Sequence, residues 1–144
     1  MKDAVLPQQH RFPIRVYFAD TDAGGMVYHA RYLEFAEKAR TEMMRTLGFD
    51  HVELKRQYDM LIGVRSVEAE YLRPALLDDL LEVRTSLGEL GGASMRIRQE
   101  VWRGEEEIAR LLVRLAFIGG DGKPARIPEP LLAAIRGLLK TEAI

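Results

Sequence analysis

The chain has 144 residues and a nearly balanced charge, with 21 Lys and Arg against 22 Asp and Glu. We predict one domain over residues 1–144, because this length suffices for a core of its own, and the charge gives no reason to expect a nucleic-acid partner. The lack of cysteine excludes disulfides and thiolate chemistry. His10, His29 and His51 lack the spacing of zinc ligands, so we expect no metal.

The first ten residues predict a loose N-terminal tail. They are polar, contain Pro7 and show no hydrophobic period. They also lack the apolar run of a signal peptide. No segment approaches the roughly 18 continuous apolar residues that span a bilayer, so we expect a cytoplasmic protein without a membrane span.

A half-buried strand is predicted next, because Ile14, Val16 and Phe18 alternate with Arg15 and Tyr17. This strand leads directly into an acidic turn. The reactive groups of the turn therefore lie where a strand passes into a helix.

The most reactive stretch runs from Asp20 to Glu37, with the sequence DTDAGGMVYHARYLEFAE. Asp20, Asp22 and His29 can move protons near neutral pH, and a helix that begins just after them presents free N–H groups and the positive end of its dipole. The pair Gly24-Gly25 lets the chain fold tightly and lets a ligand approach the main chain. Acidic residues and glycines before a helix also form ordinary caps and turns. Two interpretations therefore stand, a site that polarises a carbonyl and a capped turn.

An amphipathic helix is predicted from Arg31 to Leu47, with Gly48 as its end. Its single apolar side requires a sheet to cover it. Glu37 and Arg40 have the i, i+3 spacing of a structural ion pair on this helix. One further helical turn is predicted within His51 to Tyr58.

Four strand-like runs follow. The first, Leu61 to Tyr71, changes its apolar parity near Arg65 and Ser66, which predicts a β-bulge. The other strands are centred on Leu81 to Leu87, Met95 to Trp102 and Glu107 to Ile118, and a closing helix is predicted from Pro128 to Leu139. The last strand is apolar on both faces, which predicts an interior position or a partner subunit over it. Strands joined by tight turns make an antiparallel sheet that only the long helix can cover, so the pattern predicts an α+β fold.

The run from Arg15 to Glu42, RVYFADTDAGGMVYHARYLEFAEKARTE, resembles the signature of hotdog-fold acyl-CoA thioesterases, in the branch associated with the Tol-Pal system and related to 4-hydroxybenzoyl-CoA thioesterase. A weaker similarity continues through EAEYLRPALLDDLLEVRT and GGASMRIRQEV. The resemblance implies an antiparallel five-stranded sheet wrapped around one long central helix. It also implies dimers joined edge to edge, with a homotetramer as the expected assembly and a dimer as the alternative.

The resemblance makes Asp22 the catalytic acid, either as a nucleophile or as a general base on water. It makes the backbone N–H of His29 the oxyanion donor, while the His29 side chain either moves a proton, orients Asp22 or has no catalytic role. Asp20 is expected to hold the turn by accepting backbone hydrogen bonds. The expected substrate is a short-chain or aromatic acyl-CoA, and no cofactor is expected because coenzyme A is part of the substrate.

The substrate-binding candidates are less distinctive. Tyr28 and Tyr32 either line the acyl pocket or belong to the core, and Gly25 offers the close main-chain approach. The resemblance places Ser94 near the pantetheine arm or the nucleotide of coenzyme A. Five arginines suit phosphate contacts: Arg65, Arg73, Arg96, Arg98 and Arg126.

Two other function classes stay open. One is a non-catalytic module that binds acyl-CoA or acyl carrier protein, whose mark would be the loss of the catalytic acid. The other is a hotdog enoyl-CoA hydratase, in which the acid and the histidine lie closer together in sequence than Asp22 and His29. The presence of Asp22 and its distance from His29 along the chain favour the thioesterase.

Overall fold

The structure is a computed structural model that describes residues 9–139 and 144. Its strands are β1 His10–Arg15, β2 Met60–Tyr71, β3 Leu80–Leu90, β4 Ser94–Arg103 and β5 Glu106–Gly119. Its helices are α1 Arg31–Thr46, α2 His51–Tyr58 and α3 Glu129–Leu138. The strands form one antiparallel sheet in the order β1-β3-β4-β5-β2.

Helix α1 packs against this sheet through the apolar side that the sequence predicts. Its buried residues are Tyr32, Phe35, Ala36, Ala39, Met43 and Met44. Leu47 caps the helix, and Gly48 follows with φ of +84°, a left-handed conformation that favours glycine. The predicted hotdog arrangement, a five-stranded antiparallel sheet around one long helix, is confirmed.

The predicted irregularity of β2 is also confirmed. Val64 pairs with Leu115 and Ser66 pairs with Arg114, so Arg65 is the extra residue of a bulge. Strand β5 lies between β4 and β2, which confirms its interior position. Strand β2 lies at one edge of the sheet.

Helix α1 is not the only helix that covers apolar surface, contrary to the prediction. Leu131, Leu132 and Ile135 of α3 are buried in the same core. Their i, i+1, i+4 spacing places them on one side of a helix. Helix α2 has eight residues rather than one turn, because the Asp50 side chain caps it by accepting the Glu53 N–H at 2.9 Å. No helix in the described part of the chain is long and apolar enough to cross a membrane.

The first strand is shorter than predicted, because it ends at Arg15 and Phe18 lies in a 3-10 turn with 82% of its surface exposed. The Asp20 side chain accepts the Tyr17 N–H at 2.8 Å, and the Asp20 N–H donates to the Tyr17 carbonyl at 2.9 Å. These local hydrogen bonds stabilise the 3-10 turn and so compete with continuation of the strand.

The predicted tail also needs a correction at its C-terminal end. His10 begins β1 opposite Thr85 and is buried, because the strand pairing draws it against the sheet. Residues 1–8, which make up most of the predicted tail, lie outside the described residues.

Candidate active site

The acidic turn folds as a small hairpin between β1 and α1. Thr21 pairs with Val27, the Asp22 N–H donates to the Met26 carbonyl at 2.7 Å, and the Gly25 N–H donates to the Asp22 carbonyl at 3.1 Å. Gly25 has φ of +83°, which a residue with a Cβ rarely adopts. The glycine therefore closes the hairpin that presents Asp22.

One oxygen of the Asp22 carboxylate holds this hairpin together. Oδ1 accepts the N–H groups of Gly24 at 2.9 Å and Met26 at 3.2 Å. Oδ2 has no hydrogen-bond partner among the described residues, and the side chain is exposed. The capped turn and the reactive carboxylate are therefore compatible, because each interpretation uses a different oxygen.

Asp20 stabilises the turn through both its side chain and its main chain. Its carboxylate accepts the Tyr17 N–H, and its carbonyl accepts the Tyr28 N–H at 2.9 Å. The expectation that Asp20 holds the turn is confirmed.

The backbone N–H of His29 points to no acceptor in the described residues. It lies two residues before Arg31, where α1 begins, and Ala30 at the N-cap provides no side-chain cap. The first N–H groups of a helix lack intrahelical partners and lie at the positive end of the helix dipole. This position is suited to stabilising a negative oxygen.

The His29 ring belongs to an aromatic cluster rather than to an acid–histidine pair. Its centroid lies 4.5 Å from that of Tyr28 and 6.1 Å from that of Tyr71. Among the described residues no hydrogen bond or ion pair joins His29 to Asp22.

A groove of about 300 Å³ lies beside this cluster, and we call it the aromatic groove. Its lining residues include Met26, Val27, His29, Tyr32, Tyr71 and Arg73. Tyr32 is buried, with its ring centroid 5.5 Å from that of Tyr71, and burial raises the pKa of its phenol above the ordinary value. Tyr28, by contrast, is 48% exposed and does not line the groove.

The loop over residues 72–79 packs against the acidic hairpin and is hydrogen-bonded to it. The Val27 N–H donates to the Ala75 carbonyl at 2.9 Å. Arg103 at the end of β4 holds the loop, because its Nη1 donates to Asp79 Oδ2 at 2.7 Å and to the Pro74 carbonyl at 3.1 Å. The arrangement connects the sheet to the segment that carries His29.

Sequence reasoning missed the pair Asp79 and Arg103. Asp79 lies just before the strand predicted around Leu81, and Arg103 directly follows the strand predicted from Met95 to Trp102, so neither belongs to a recognisable motif. Burial raises the pKa of the Asp79 carboxyl, but the Leu76 N–H and the Arg103 guanidinium together hold it below its ordinary value.

Ser94 does not lie near the aromatic groove of its own chain. Ser94 pairs with Ala116 of β5, whereas Tyr71 pairs with Ala109. These partners are seven residues apart along the strand, which corresponds to about 23 Å. Its contact with coenzyme A stays a prediction.

Of the five arginines predicted for phosphate contacts, Arg73 lines the aromatic groove. Arg65 lies at the bulge of β2, and Arg96 and Arg98 lie on β4. The described residues contain no group of three His, Asp or Glu side chains placed to hold a metal ion.

A sheet around one long helix, with a carboxylate on a hairpin and the free His29 N–H just before that helix, is the arrangement of a hotdog-fold thioester hydrolase. The model of the thioesterase-like superfamily matches residues 16–135. The chain belongs to this family.

Proteins similar in sequence to this chain are named as thioesterases. The chain is 41% identical over 128 residues to acyl-CoA thioesterase YbgC of Haemophilus influenzae, covering 88% of this chain and 94% of the relative. It is 38% identical over 129 residues to acyl-CoA thioester hydrolase YbgC of Escherichia coli, covering 88% and 95%. The crystal structure of a probable thioesterase from Bartonella henselae superposes with a TM-score of 0.80 at 41% identity, covering 83% of this chain and 99% of that one.

Proposed function

We propose that the protein hydrolyses the thioester of an acyl-CoA to a free acid and coenzyme A. The observation that carries this proposal is that the two oxygens of the Asp22 carboxylate differ: Oδ1 accepts two hairpin N–H groups, whereas Oδ2 has no hydrogen-bond partner in the part of the chain that the structure describes. Relatives that are 41% and 38% identical are named as acyl-CoA thioesterases, which supports the same reaction.

In the proposed reaction, Asp22 Oδ2 acts on the thioester in one of two ways. As a nucleophile it attacks the carbonyl carbon, expels the thiolate of coenzyme A and leaves an anhydride that water then hydrolyses. As a general base it takes a proton from the water that attacks the same carbon. Either route develops an oxyanion, which the His29 N–H and the start of α1 stabilise.

The proposed substrate is a short-chain or aromatic acyl-CoA. The aromatic groove supports this because it is small and presents the rings of Tyr32 and Tyr71 to an acyl group. Gly25 precedes the lining residue Met26, and the Tyr28 ring lies 4.5 Å from that of His29, so we propose both as further contacts at the rim of the groove. No cofactor is needed, because the thioester and the nucleotide both belong to the substrate.

Acyl carrier protein is a second proposed donor of the thioester, because it presents the acyl group on the same kind of pantetheine arm.

We place the reaction in the cytoplasm, where acyl-CoA is formed and used. We propose that Ser94 meets the pantetheine arm or the nucleotide of coenzyme A. Because its pairing position on β5 is about 23 Å from that of Tyr71, it contacts either the far end of the same coenzyme A or one bound at the site of a neighbouring chain.

The proposed assembly is a homotetramer built from dimers. The support lies in β2, a 12-residue edge strand whose residues after the bulge are all exposed. An unpaired strand edge offers a row of free N–H and C=O groups to another chain. Light scattering at micromolar concentration tests this, and a monomeric mass would contradict it.

A non-catalytic acyl-CoA or acyl-carrier-protein module is the second candidate, favoured by the two backbone hydrogen bonds that Asp22 accepts as a simple turn cap would. A hotdog hydratase is disfavoured, because its acid and histidine act together and Asp22 and His29 share no bond here. A thiol-release assay over acyl-CoAs of increasing chain length and over aryl-CoAs tests the thioesterase. Binding without thiol release across the whole panel would favour the module.

A further inference from the structure

Tyr32 is the buried polar side chain of the aromatic groove. The groove is lined by four side chains that have hydrogen-bonding atoms, those of His29, Tyr32, Tyr71 and Arg73. Three of them are exposed, whereas Tyr32 is only 4% exposed. A hydrogen-bond donor that is shielded from water stabilises a developing charge more strongly than an exposed donor does. The Tyr32 hydroxyl is therefore the side-chain donor of the groove that is best suited to a charged oxygen.

The Tyr32 O–H group has no hydrogen-bond acceptor in the part of the chain that the structure describes. Its oxygen is not among the fully enclosed polar atoms, which agrees with its place in the wall of the groove. Burial raises the pKa of the phenol above its ordinary value, and a backbone hydrogen bond from Ala75 opposes this effect only in part. The phenol is therefore protonated at neutral pH and has a free O–H to donate.

The position of Tyr32 on α1 directs its ring toward His29. The Arg31 N–H donates to the Tyr28 carbonyl at 2.8 Å, so a turn of the chain extends from the helix back over His29. A helical side chain leans over the residues three and four positions before it, which for Tyr32 are His29 and Tyr28. The rings of Tyr32 and His29 both contact Tyr71, with centroid distances of 5.5 Å and 6.1 Å. The phenol and the residue with the free backbone N–H therefore belong to the same part of the groove.

Ala75 connects Tyr32 to the acidic hairpin. The Ala75 carbonyl accepts the Val27 N–H at 2.9 Å, and the Ala75 N–H interacts with the Tyr32 oxygen. Val27 lies two residues before His29 in the same segment. A donor that the framework already holds in place needs little reorganisation when charge develops near it. The hydroxyl is thus positioned before the substrate arrives.

We propose that the Tyr32 hydroxyl is a second donor to the oxyanion, beside the His29 N–H. When Asp22 or water attacks the thioester carbon, the C=O bond becomes a single bond and its oxygen takes up the negative charge. Tyr32 donates a hydrogen bond to this oxygen and keeps its proton. The charge leaves the oxygen when the carbonyl forms again and the C–S bond breaks, which releases the thiolate of coenzyme A. The inference rests on the proposed hydrolysis and adds a catalytic side chain to it.

Recognition of an oxygen atom within the acyl group is the other use that such a hydroxyl could have. The position of Tyr32 over His29 favours the oxyanion, because the reacting carbonyl lies beside the His29 N–H in the proposed reaction. The two roles predict different kinetics. The oxyanion forms with every acyl group, whereas a contact within the acyl group needs a substrate that has a second oxygen there.

The variant Tyr32→Phe removes the hydroxyl oxygen and keeps the ring. We expect kcat for propionyl-CoA, butyryl-CoA and benzoyl-CoA to fall by about 100-fold or more, because the loss of one oxyanion donor costs about 10²–10³-fold. KM should change little, since the contact strengthens only in the transition state. The loss should be similar for all three substrates, because none has a second oxygen in its acyl group.

A thiol-release assay measures these constants, and thermal unfolding shows whether the variant is folded. Tyr58→Phe is the matched control, because it removes the same atom from a tyrosine of α2 that does not line the groove. Its kcat and KM should equal those of the wild type.

A common fall in kcat in folded Tyr32→Phe would support the second donor. Three results from an active wild type would overturn it: an unchanged kcat in the variant, a rise in KM alone, or a loss confined to acyl groups that have a second oxygen. A wild type that releases no thiol from any acyl-CoA would contradict the proposed hydrolysis itself, and the role of Tyr32 with it.

Discussion

Arg103 donates to Asp79 at 2.7 Å, and through this bond β4 fixes the loop that carries the main-chain partner of the acidic hairpin. The two residues are distant from Asp22 in sequence. Their position connects the rigid sheet to the segment that presents the His29 N–H.

Loss of this contact should lower both stability and activity. Arg103→Met removes hydrogen bonds to a carboxylate and to the Pro74 carbonyl, and we expect it to cost about 2 kcal/mol of unfolding free energy, as for hydrogen bonds to charged groups. We expect kcat to fall more than KM rises, because the hairpin shifts. Urea unfolding and steady-state kinetics measure these effects. Arg103→Lys is the control that keeps the charge but not the fork, and full activity in Arg103→Met would contradict the positioning role.

The same pair predicts how stability depends on pH. Because the folded pKa of Asp79 lies below its ordinary value of 3.8, the unfolded chain binds the proton more readily. The contribution of Asp79 is therefore complete above about pH 4 and is lost as the pH falls through the folded pKa. The difference in Tm between wild type and Asp79→Asn should be largest above pH 4 and should shrink in more acidic solution.

Asp78→Asn is the control for this pH series, because Asp78 is an exposed neighbour. Its Tm should follow that of the wild type at every pH. A constant difference between wild type and Asp79→Asn from pH 2 to pH 6 would exclude the proposed contribution.

Gln99 should be a strong determinant of stability. Gln99→Leu removes the bonds to the Ala36 carbonyl and Thr85 and leaves Arg40 without its hydrogen-bond partner. Leaving buried polar groups unsatisfied costs about 1–3 kcal/mol each, so we expect a loss of about 3 kcal/mol in urea unfolding. Thr85→Val, which breaks only one of these bonds, should cost clearly less; equal losses would mean that the bonds to α1 contribute nothing.

The His29 side chain should matter less than its backbone. His29→Ala keeps the N–H, and the ring contacts Tyr28 and Tyr71 rather than Asp22. We therefore expect kcat/KM to fall by less than about 10-fold, whereas the loss of a general acid or base typically costs 10²–10⁴-fold. His51→Ala serves as the control, since His51 lies on α2. A loss within the larger range would assign proton transfer to the ring.

Local patterns predicted the elements well where the hydrophobic period decided the structure. The helical spacing of apolar residues predicted that α1 begins at Arg31, as the structure shows. The change of apolar parity in β2 predicted the bulge that the structure has at Arg65. The prediction for Phe18 was wrong because the Asp20 side chain captures the Tyr17 N–H. A hydrophobic pattern contains no information about such a bond.

The long-range side-chain contacts of α1 and of the candidate site could not be predicted from the sequence for a different reason. Arg40 has the helical spacing for Glu37, yet it bonds Gln99, which is 59 residues away. Arg103 reaches Asp79 across 24 residues. The fold brings these partners together, and the hydrophobic pattern of a single sequence does not show which residues of distant elements meet.

The role of Asp22 Oδ2 in thioester hydrolysis can be decided with the variant Asp22→Asn. The amide keeps an oxygen that can accept the Gly24 and Met26 N–H groups, so Tm should stay close to that of the wild type. It can neither attack a carbonyl nor take a proton from water, so kcat/KM for thioester hydrolysis should fall by at least about 1,000-fold. Asp20→Asn, which alters only the turn, should show a milder kinetic defect. A normally folded Asp22→Asn variant with nearly wild-type turnover would contradict the account.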